Sequence, residues 1–291
     1  MPKQKEQTKI IDTITIQGQK IRYALFGPED ADRTLLVFNG IGASLDAVAP
    51  VASMFERTRI LTFDVPGVGG SPTPLIPYRF SWLSRMTARL LDQLGIGEVD
   101  VAGVSWGGAA AQQFTYDHQG RVNSLTLCAT SAGMVMIPGN IQVLRKMATP
   151  KRYMDPEHMM NIGPDIYGGQ LRMNRELLDM HAGSLKAGDA RGYLYQLLCG
   201  IGWTSWLWLP QIEVPTLLLM GGDDPLIPVV NGKILMNRLP DARMVVMDCG
   251  HLFILSKPHE TAQRIEAFIH DGVVLDAEVF DDDSASEATP A

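Results

Sequence analysis

The chain has little cysteine, no long apolar run and no excess of positive charge. It has three cysteines in 291 residues, Cys128, Cys199 and Cys249. Their odd number and lack of C-x-x-C spacing exclude a disulfide framework and a thiolate metal knot, so they read as buried thiols. No stretch of about eighteen apolar residues occurs, which argues against a membrane-spanning helix. The first residues, MPKQKEQTKIID, lack the apolar middle of a secretory signal, so the expected location is cytoplasmic. The formal charge is −7, and segment 276–291 carries six acidic residues without a Lys or Arg, which leaves the rest nearly neutral. Nucleic-acid binding needs a basic stripe to neutralise phosphates, and none is present. An uncharged or apolar ligand suits this balance better.

Two nucleotide-binding signatures are missing as well. The run Gly67-Val68-Gly69-Gly70 is not followed by G-K-[ST], and GVSWGG (103–108) lacks the G-x-G-x-x-G register and a ribose-binding acid. No His/Cys cluster suggests a metal. The expectation is therefore a protein without a cofactor.

What is present is apolar material at 46% of residues, enough for one large core or a core with a small satellite. Short β-branched and aliphatic runs alternate with helix-like stretches: LLVFN (35–39), RILTFDV (59–65), VDVAGVS (99–105), SLTLCAT (124–130), TLLLMG (216–221) and RMVVMD (243–248). That is the pattern of a mostly parallel sheet covered on both faces. Ahead of them, DTITIQGQKIRYALFG reads as an antiparallel edge hairpin turning around Gly18-Gln19. The fold class is α/β with a mixed, mostly parallel eight-stranded sheet.

Between Ser131 and Pro210 the strand runs stop and Met, Tyr and Trp accumulate among helix formers, broken by Pro and Gly. The expected organisation is a core over 1–131 and 211–275, an inserted helical cap over 132–210, and a disordered acidic tail over 276–291. Met134, Met136, Met147, Met154, Met159 and Met160, with Trp203, Trp206 and Trp208, either line an apolar substrate cleft or fill the cap's own core.

The chemistry concentrates in three separated places. Gly103-Val104-Ser105-Trp106-Gly107 lies between a strand and a helix start, the context in which G-x-S-x-G forms a nucleophile elbow. The pentapeptide alone is weak in a chain with 28 glycines, so the context carries the reading. A serine hydroxyl needs a base in reach and a third group to orient it. Of six histidines, His251 alone follows a late strand and a glycine, in RMVVMDCGHLF. The acid is expected after TLLLMG, where Asp223 and Asp224 adjoin. The G-x-x-D-x-x-x-P spacing favours Asp224, leaving Asp223 to accept backbone N–H groups in its turn. Oxyanion donors are expected from the backbone N–H groups of Trp106 and, after LLVFN, of Ile41 within Asn39-Gly40-Ile41-Gly42. The loop Asp64–Ser71 reads as structural. The chain order Ser, Asp, His is that of α/β-hydrolases.

Together FNGIGAS, FDVPGVGGS, GVSWGGAAAQQF, IYGG, GWTSWLWL, GDDPLIP and CGHLF make residues 20 to 270 resemble the intracellular medium-chain-length polyhydroxyalkanoate depolymerases. The resemblance implies hydrolysis of a stored polyester to 3-hydroxy fatty acids by an enzyme whose cap faces the polymer granule, its partner. Ser105 stands where the related polyester synthases carry Cys, so it points away from synthesis. On this reading Asn39, Met134, Trp203 and Trp206 are the candidate substrate contacts. The rival readings are a carboxylesterase, lactonase or thioesterase for small soluble esters, and a non-catalytic granule-coat protein.

Overall fold

The computed structural model describes residues 8–147, 155–184 and 190–276. Met154 and the expected acidic tail beyond Asp276 lie outside the described residues. Eight strands form one sheet: β1 (Thr8–Ile16), β2 (Gln19–Gly27), β3 (Arg33–Phe38), β4 (Thr58–Phe63), β5 (Val99–Val104), β6 (Val122–Cys128), β7 (Thr216–Gly221) and β8 (Ala242–Met247). Their spatial order is β1-β2-β4-β3-β5-β6-β7-β8. β1 and β2 pair antiparallel with each other, β2 pairs antiparallel with β4, and every later pairing is parallel. The mixed sheet expected from the sequence is thus found.

The edge hairpin turns one residue earlier than expected. Gln17 and Gly18 both adopt positive φ, 51° and 83°, the twist that a two-residue type I′ turn needs to match its strands. With Ile16 paired to Gln19, Gln19 belongs to the strand and not to the turn.

Strands buried on both faces explain the continuous apolar runs. Leu36, Phe38, Val101, Leu218 and Met220 join one core cluster, whereas Leu35, Val37, Ala102, Val104, Leu217 and Leu219 join the other. Successive side chains leave a strand on opposite faces, so each run feeds two cores at once. Helices cover both faces: α2 (Phe80–Gln93) and α3 (Trp106–Asp117) carry Leu83, Leu90 and Phe114 into the first cluster. On the other face, the short α1 (Ala49–Ala52) contributes Val51 and the C-terminal helix Ile265 and Phe268. All three cysteines are free and buried, and burial pushes each thiol up to about 12, which keeps them protonated and inert.

The segment between β6 and β7 is helical, as expected. It holds α4 (Ile141–Met147), α5 (Pro156–Tyr167), α6 (Arg175–Ser184) and α7 (Ala190–Gly200). Val143, Met159, Ile162, Ile166, Leu171 and Leu178 form a separate small core there, with Met147 and Met160 packed against it. After β7 the chain continues through α8 (Val230–Met236), β8, α9 (Phe253–Ser256) and α10 (Pro258–Asp271). Among the described residues no helix is long and apolar enough to cross a membrane.

Candidate active site

The elbow follows from close backbone packing. Ser105 sits between β5 and α3 with φ 54° and ψ −116°, a conformation sterically costly for an L-residue and tolerated where surrounding structure holds it. Its N–H donates to Cys128 O at 2.9 Å, and its carbonyl accepts Gly108 N–H at 2.9 Å and the Thr130 hydroxyl at 2.8 Å. Any side chain at 103 would fall on Gly107 O, with Ala111 Cβ 2.6 Å away; one at 107 would fall on Phe38 O. The helix therefore packs against β3 and β5 only with glycine at both positions.

The other two segments also leave strand ends on the same side of the sheet. Asp224, after β7, has a fully buried carboxylate. One oxygen, Oδ1, accepts the N–H groups of Leu226 at 2.8 Å and Ile227 at 3.0 Å, which locks the turn. The other, Oδ2, lies 2.7 Å from Nδ1 of His251, whose side chain is 4% exposed. A carboxylate can only accept, so Nδ1 carries the hydrogen in this contact, and in the neutral ring that tautomer is the one whose Nε2 keeps its lone pair. Of the two acids, the structure brings Asp224 to the imidazole.

Asp223 turns the opposite way and does not brace its own turn, as the sequence suggested it would. It accepts Gly169 N–H at 2.8 Å and pairs with the Arg172 guanidinium, both from the segment after α5. Burial pushes its carboxyl up, but the Gly169 N–H and the Arg172 charge outweigh this and hold it below the usual carboxylate range.

The same segment wedges onto the histidine loop. Tyr167 O accepts His251 N–H at 2.7 Å. The rings of Tyr167 and His251 stack with centroids 6.3 Å apart. Gly168 and Gly169 have φ of 63° and 52°; a Cβ would fall on Asp223 O at the first and on Gly250 N at the second. The IYGG motif thus ends in glycines because the wedge meets backbone on both sides.

Ser105 and His251 line one cavity of about 800 Å³ including its mouth, together with Asn39, Gly40, Ile41, Asp46, Tyr167 and His181. Its remaining wall is mainly apolar, with Ala43, Ala47, Pro50, Met147, Met180, Ile254 and Leu255. The lining is that of a site for an apolar ligand with a few polar groups. The loop after β3 is held closed from behind. The Asn39 amide donates to Ser44 O at 3.1 Å, and the fully buried Asp64 accepts Leu45 N–H at 2.6 Å and Gly70 N–H at 2.7 Å. Asn39 lines the cavity but spends a donor on shaping the loop, and the structural reading of the Asp64 loop is found.

Three expected substrate contacts lie elsewhere. Trp203 packs edge-on against Phe80 at 5.1 Å and donates Nε1–H to Gln113 at 2.9 Å. Trp206 stacks under the Arg238 guanidinium at 4.4 Å. Met134 is 66% exposed. None of the three lines the cavity that holds Ser105. The tryptophans sit at the foot of the inserted segment, where Trp203 also meets Trp208 at 6.0 Å and Trp208 stacks on Tyr116 at 4.6 Å; they glue it to α2 and α3. Of the methionines, Met147 reaches the cavity wall while Met159 fills the segment's own core.

Among the cavity residues that sequence reasoning did not single out, one polar pair stands out. His181, on α6, is buried with Nε2 2.8 Å from the Tyr167 hydroxyl, and both face the cavity. Its helical context gives no hint of this; only the tertiary fold turns it inward. Among the described residues, no group of three or more His, Cys, Asp or Glu could hold a metal ion.

Comparison with known proteins agrees with this fold. The α/β hydrolase family model matches residues 35–264. The chain is 47% identical over 264 residues, 90% of this chain and 93% of the other, to the poly(3-hydroxyalkanoate) depolymerase of Ectopseudomonas oleovorans. It is 26% identical over 88% of its length to 3-oxoadipate enol-lactonase 2 of Acinetobacter baylyi, covering 95% of that protein. Among solved structures, the enol-lactonase of Burkholderia xenovorans superposes with a TM-score of 0.77 at 22% identity, over 89% of this chain and 99% of the other, a likeness of fold. The chain belongs to the α/β hydrolase family, in the group that contains the poly(3-hydroxyalkanoate) depolymerase of Ectopseudomonas oleovorans.

Proposed function

We propose that the chain hydrolyses the ester bonds of poly(3-hydroxyalkanoate), with Ser105 as nucleophile, His251 as general base and Asp224 as the group that orients it. The observation that carries this reading is the buried Asp224–His251 pair, whose imidazole lines the same largely apolar cavity as Ser105. The 47% identity to a poly(3-hydroxyalkanoate) depolymerase supports the choice of polyester.

In this mechanism the Ser105 hydroxyl oxygen bonds to the ester carbonyl carbon while its proton passes to Nε2 of His251. The carbonyl oxygen takes the negative charge and is held by the N–H groups of Ile41 and Trp106; each such donor lowers a barrier by about 3 to 4 kcal/mol. Collapse breaks the bond to the next unit's oxygen, which leaves as a hydroxyl with the proton from His251. Water, deprotonated by the same imidazole, then attacks the acyl-enzyme and releases a 3-hydroxy acid or oligomer.

The apolar wall formed by Met147, Met180, Ile254 and Leu255 suits medium-length alkyl side chains. Met134, Met173 and Leu207, 66, 92 and 76% exposed between β6 and β7, offer apolar surface for contact with a polymer granule. A non-catalytic coat protein is disfavoured, because a buried carboxylate–imidazole pair is costly to keep without use.

The deciding experiment assays the purified protein on emulsified polyesters of short and medium side chain and on soluble p-nitrophenyl esters, with Ser105→Ala as control. Release of 3-hydroxy acids from the medium-chain polymer is expected, falling roughly 10⁴- to 10⁶-fold in the variant. Turnover of soluble esters alone would replace the polyester reading with a small-ester hydrolase.

A further inference from the structure

Gln196 lies on α7, in the inserted segment, yet it bonds to the backbone of Gly42, next to Ile41, and to the side chain of Trp106, the two places that the proposed function assigns to the oxyanion. Its side-chain Oε1 accepts Gly42 N–H at 2.9 Å, across 154 residues of sequence. Its main-chain carbonyl accepts the indole Nε1–H of Trp106 at 2.9 Å, across 90 residues. The residue is 1% exposed, so neither bond competes with bulk water. The orientation of the amide is not arbitrary: with Gly42 as donor, only the oxygen can face it. The price is a buried Nε2 with no hydrogen-bond partner among the described residues.

The Gly42 N–H belongs to the rigid peptide unit that follows Ile41. Holding it anchors the peptide plane on the far side of the Ile41 Cα; the Ile41 N–H lies in the plane just before, one Cα away, so its direction is set relative to this anchor by φ and ψ of Ile41. Gly42 has φ 74°, so this turn is set by tertiary contact and glycine together. On the other side, the Trp106 indole is clamped between its bond to Gln196 and the Phe80 ring at 4.8 Å. Trp106 is the first residue of α3, directly after the nucleophile.

We propose that Gln196 is a positioning residue for the oxyanion hole: it ties the Ile41–Gly42 turn and Trp106 to one point on α7, so the hole takes its working shape only with the inserted segment docked. This rests on the reading of Ile41 and Trp106 as oxyanion donors. A residue that merely supports the fold would lower stability; one that aims the donors must weaken binding of the transition state more than of the ground state.

The test uses Gln196→Met, which keeps length and volume but removes the acceptor, in the full chain. With a medium-chain p-nitrophenyl ester, kcat is expected to fall about 10- to 100-fold with KM within about threefold. The affinity of an alkyl boronic acid, which forms a tetrahedral adduct on the serine, should fall by the same factor. The affinity of the matching alkyl methyl ketone, which tests cavity filling, should stay within about twofold of wild type. A second variant, Trp106→Phe, removes the indole N–H together with part of the ring and should lower kcat and boronate affinity together by about three- to tenfold; it carries the test should Gln196→Met not fold. Unchanged kcat in either folded variant, or a loss of kcat without loss of boronate affinity, overturns the proposal. Absence of ester hydrolysis and boronate binding in the wild-type chain would instead overturn the catalytic reading on which it depends.

Discussion

The sheet and the segment inserted between β6 and β7 meet at the same cavity but build it by different means. The sheet presents Ser105, Asp224 and His251 at the ends of β5, β7 and β8: Asp224 is held by N–H groups two and three residues on, Ser105 by the neighbouring strand β6, and His251 by Asp224 and by Tyr167 O. The inserted segment reaches the site through Tyr167, Gly168, Gly169, Arg172 and Gln196, whose partners lie in the core's loops. The lesson is one of separated duties. The proposed reactive groups stand at strand ends, where small misplacement is costly, while the inserted segment hydrogen-bonds to the loops around them.

The adjacent pair Asp223 and Asp224 draws the sharpest line between the two regions, since one faces the cap and the other the imidazole. Asp224→Asn should lower kcat on a soluble ester by about 10³- to 10⁴-fold, because the amide no longer selects the tautomer with Nε2 free. Asp223→Asn should cost less than about tenfold by the same assay. A larger loss at 223 would mean that the docked segment, and not the orientation of His251, limits the reaction.

Gly168→Ala attacks the wedge itself. A methyl group there meets Asp223 O in a backbone region closed to L-residues, so the variant should lose about 1 to 3 kcal/mol of stability. Chemical denaturation reads the loss, and limited proteolysis should show it concentrated between β6 and β7. Uniform destabilisation would argue that the two regions unfold as one unit and that their separation is only geometric.

The smallest effect is expected at the half-exposed Arg172–Asp223 pair. Arg172→Ala should cost less than about 1 kcal/mol, and less still in high salt. Because the Asp223 carboxyl is held below its ordinary value in the folded protein, its stabilisation is fully present above the unfolded carboxylate pKa of about 3.9 and disappears as pH falls through the depressed value. The difference in melting temperature between wild type and variant should therefore close in that acid window and stay constant from pH 5 to 7. A difference that persists below it would show that Arg172 acts through packing.

Legibility in the sequence followed the range of the interactions. The six apolar runs predicted β3 to β8 because a strand buried on both faces must be apolar at every position. The elbow was readable because the strand, G-x-S-x-G and the helix start adjoin in the chain, although Gly107 is required by a distant contact, with Phe38 O on β3. The hairpin was misplaced by one residue because Gln17 adopts a positive φ that residue type alone does not announce. Trp203 and Trp206 were assigned to the cleft on composition, and their places at the foot of the inserted segment depend on Phe80, Gln113 and Arg238, which no local pattern links to them. Gln196 and His181 carried no signal of their own, since polar residues in a helix are equally compatible with a solvated face, and Tyr167 was visible only as part of IYGG, without a place in the site.

The amino-acid order by itself determined the parallel sheet, the strand-turn-helix at Ser105, and the succession of Ser, Asp and His, because each depends on periodicity or on neighbours in the chain. Only the tertiary structure decided which of two adjacent carboxylates meets the imidazole and which cap residues reach the site. Those outcomes depend on the direction in which a side chain leaves a turn and on contacts across as many as 154 residues, and neither is encoded in any short stretch of sequence.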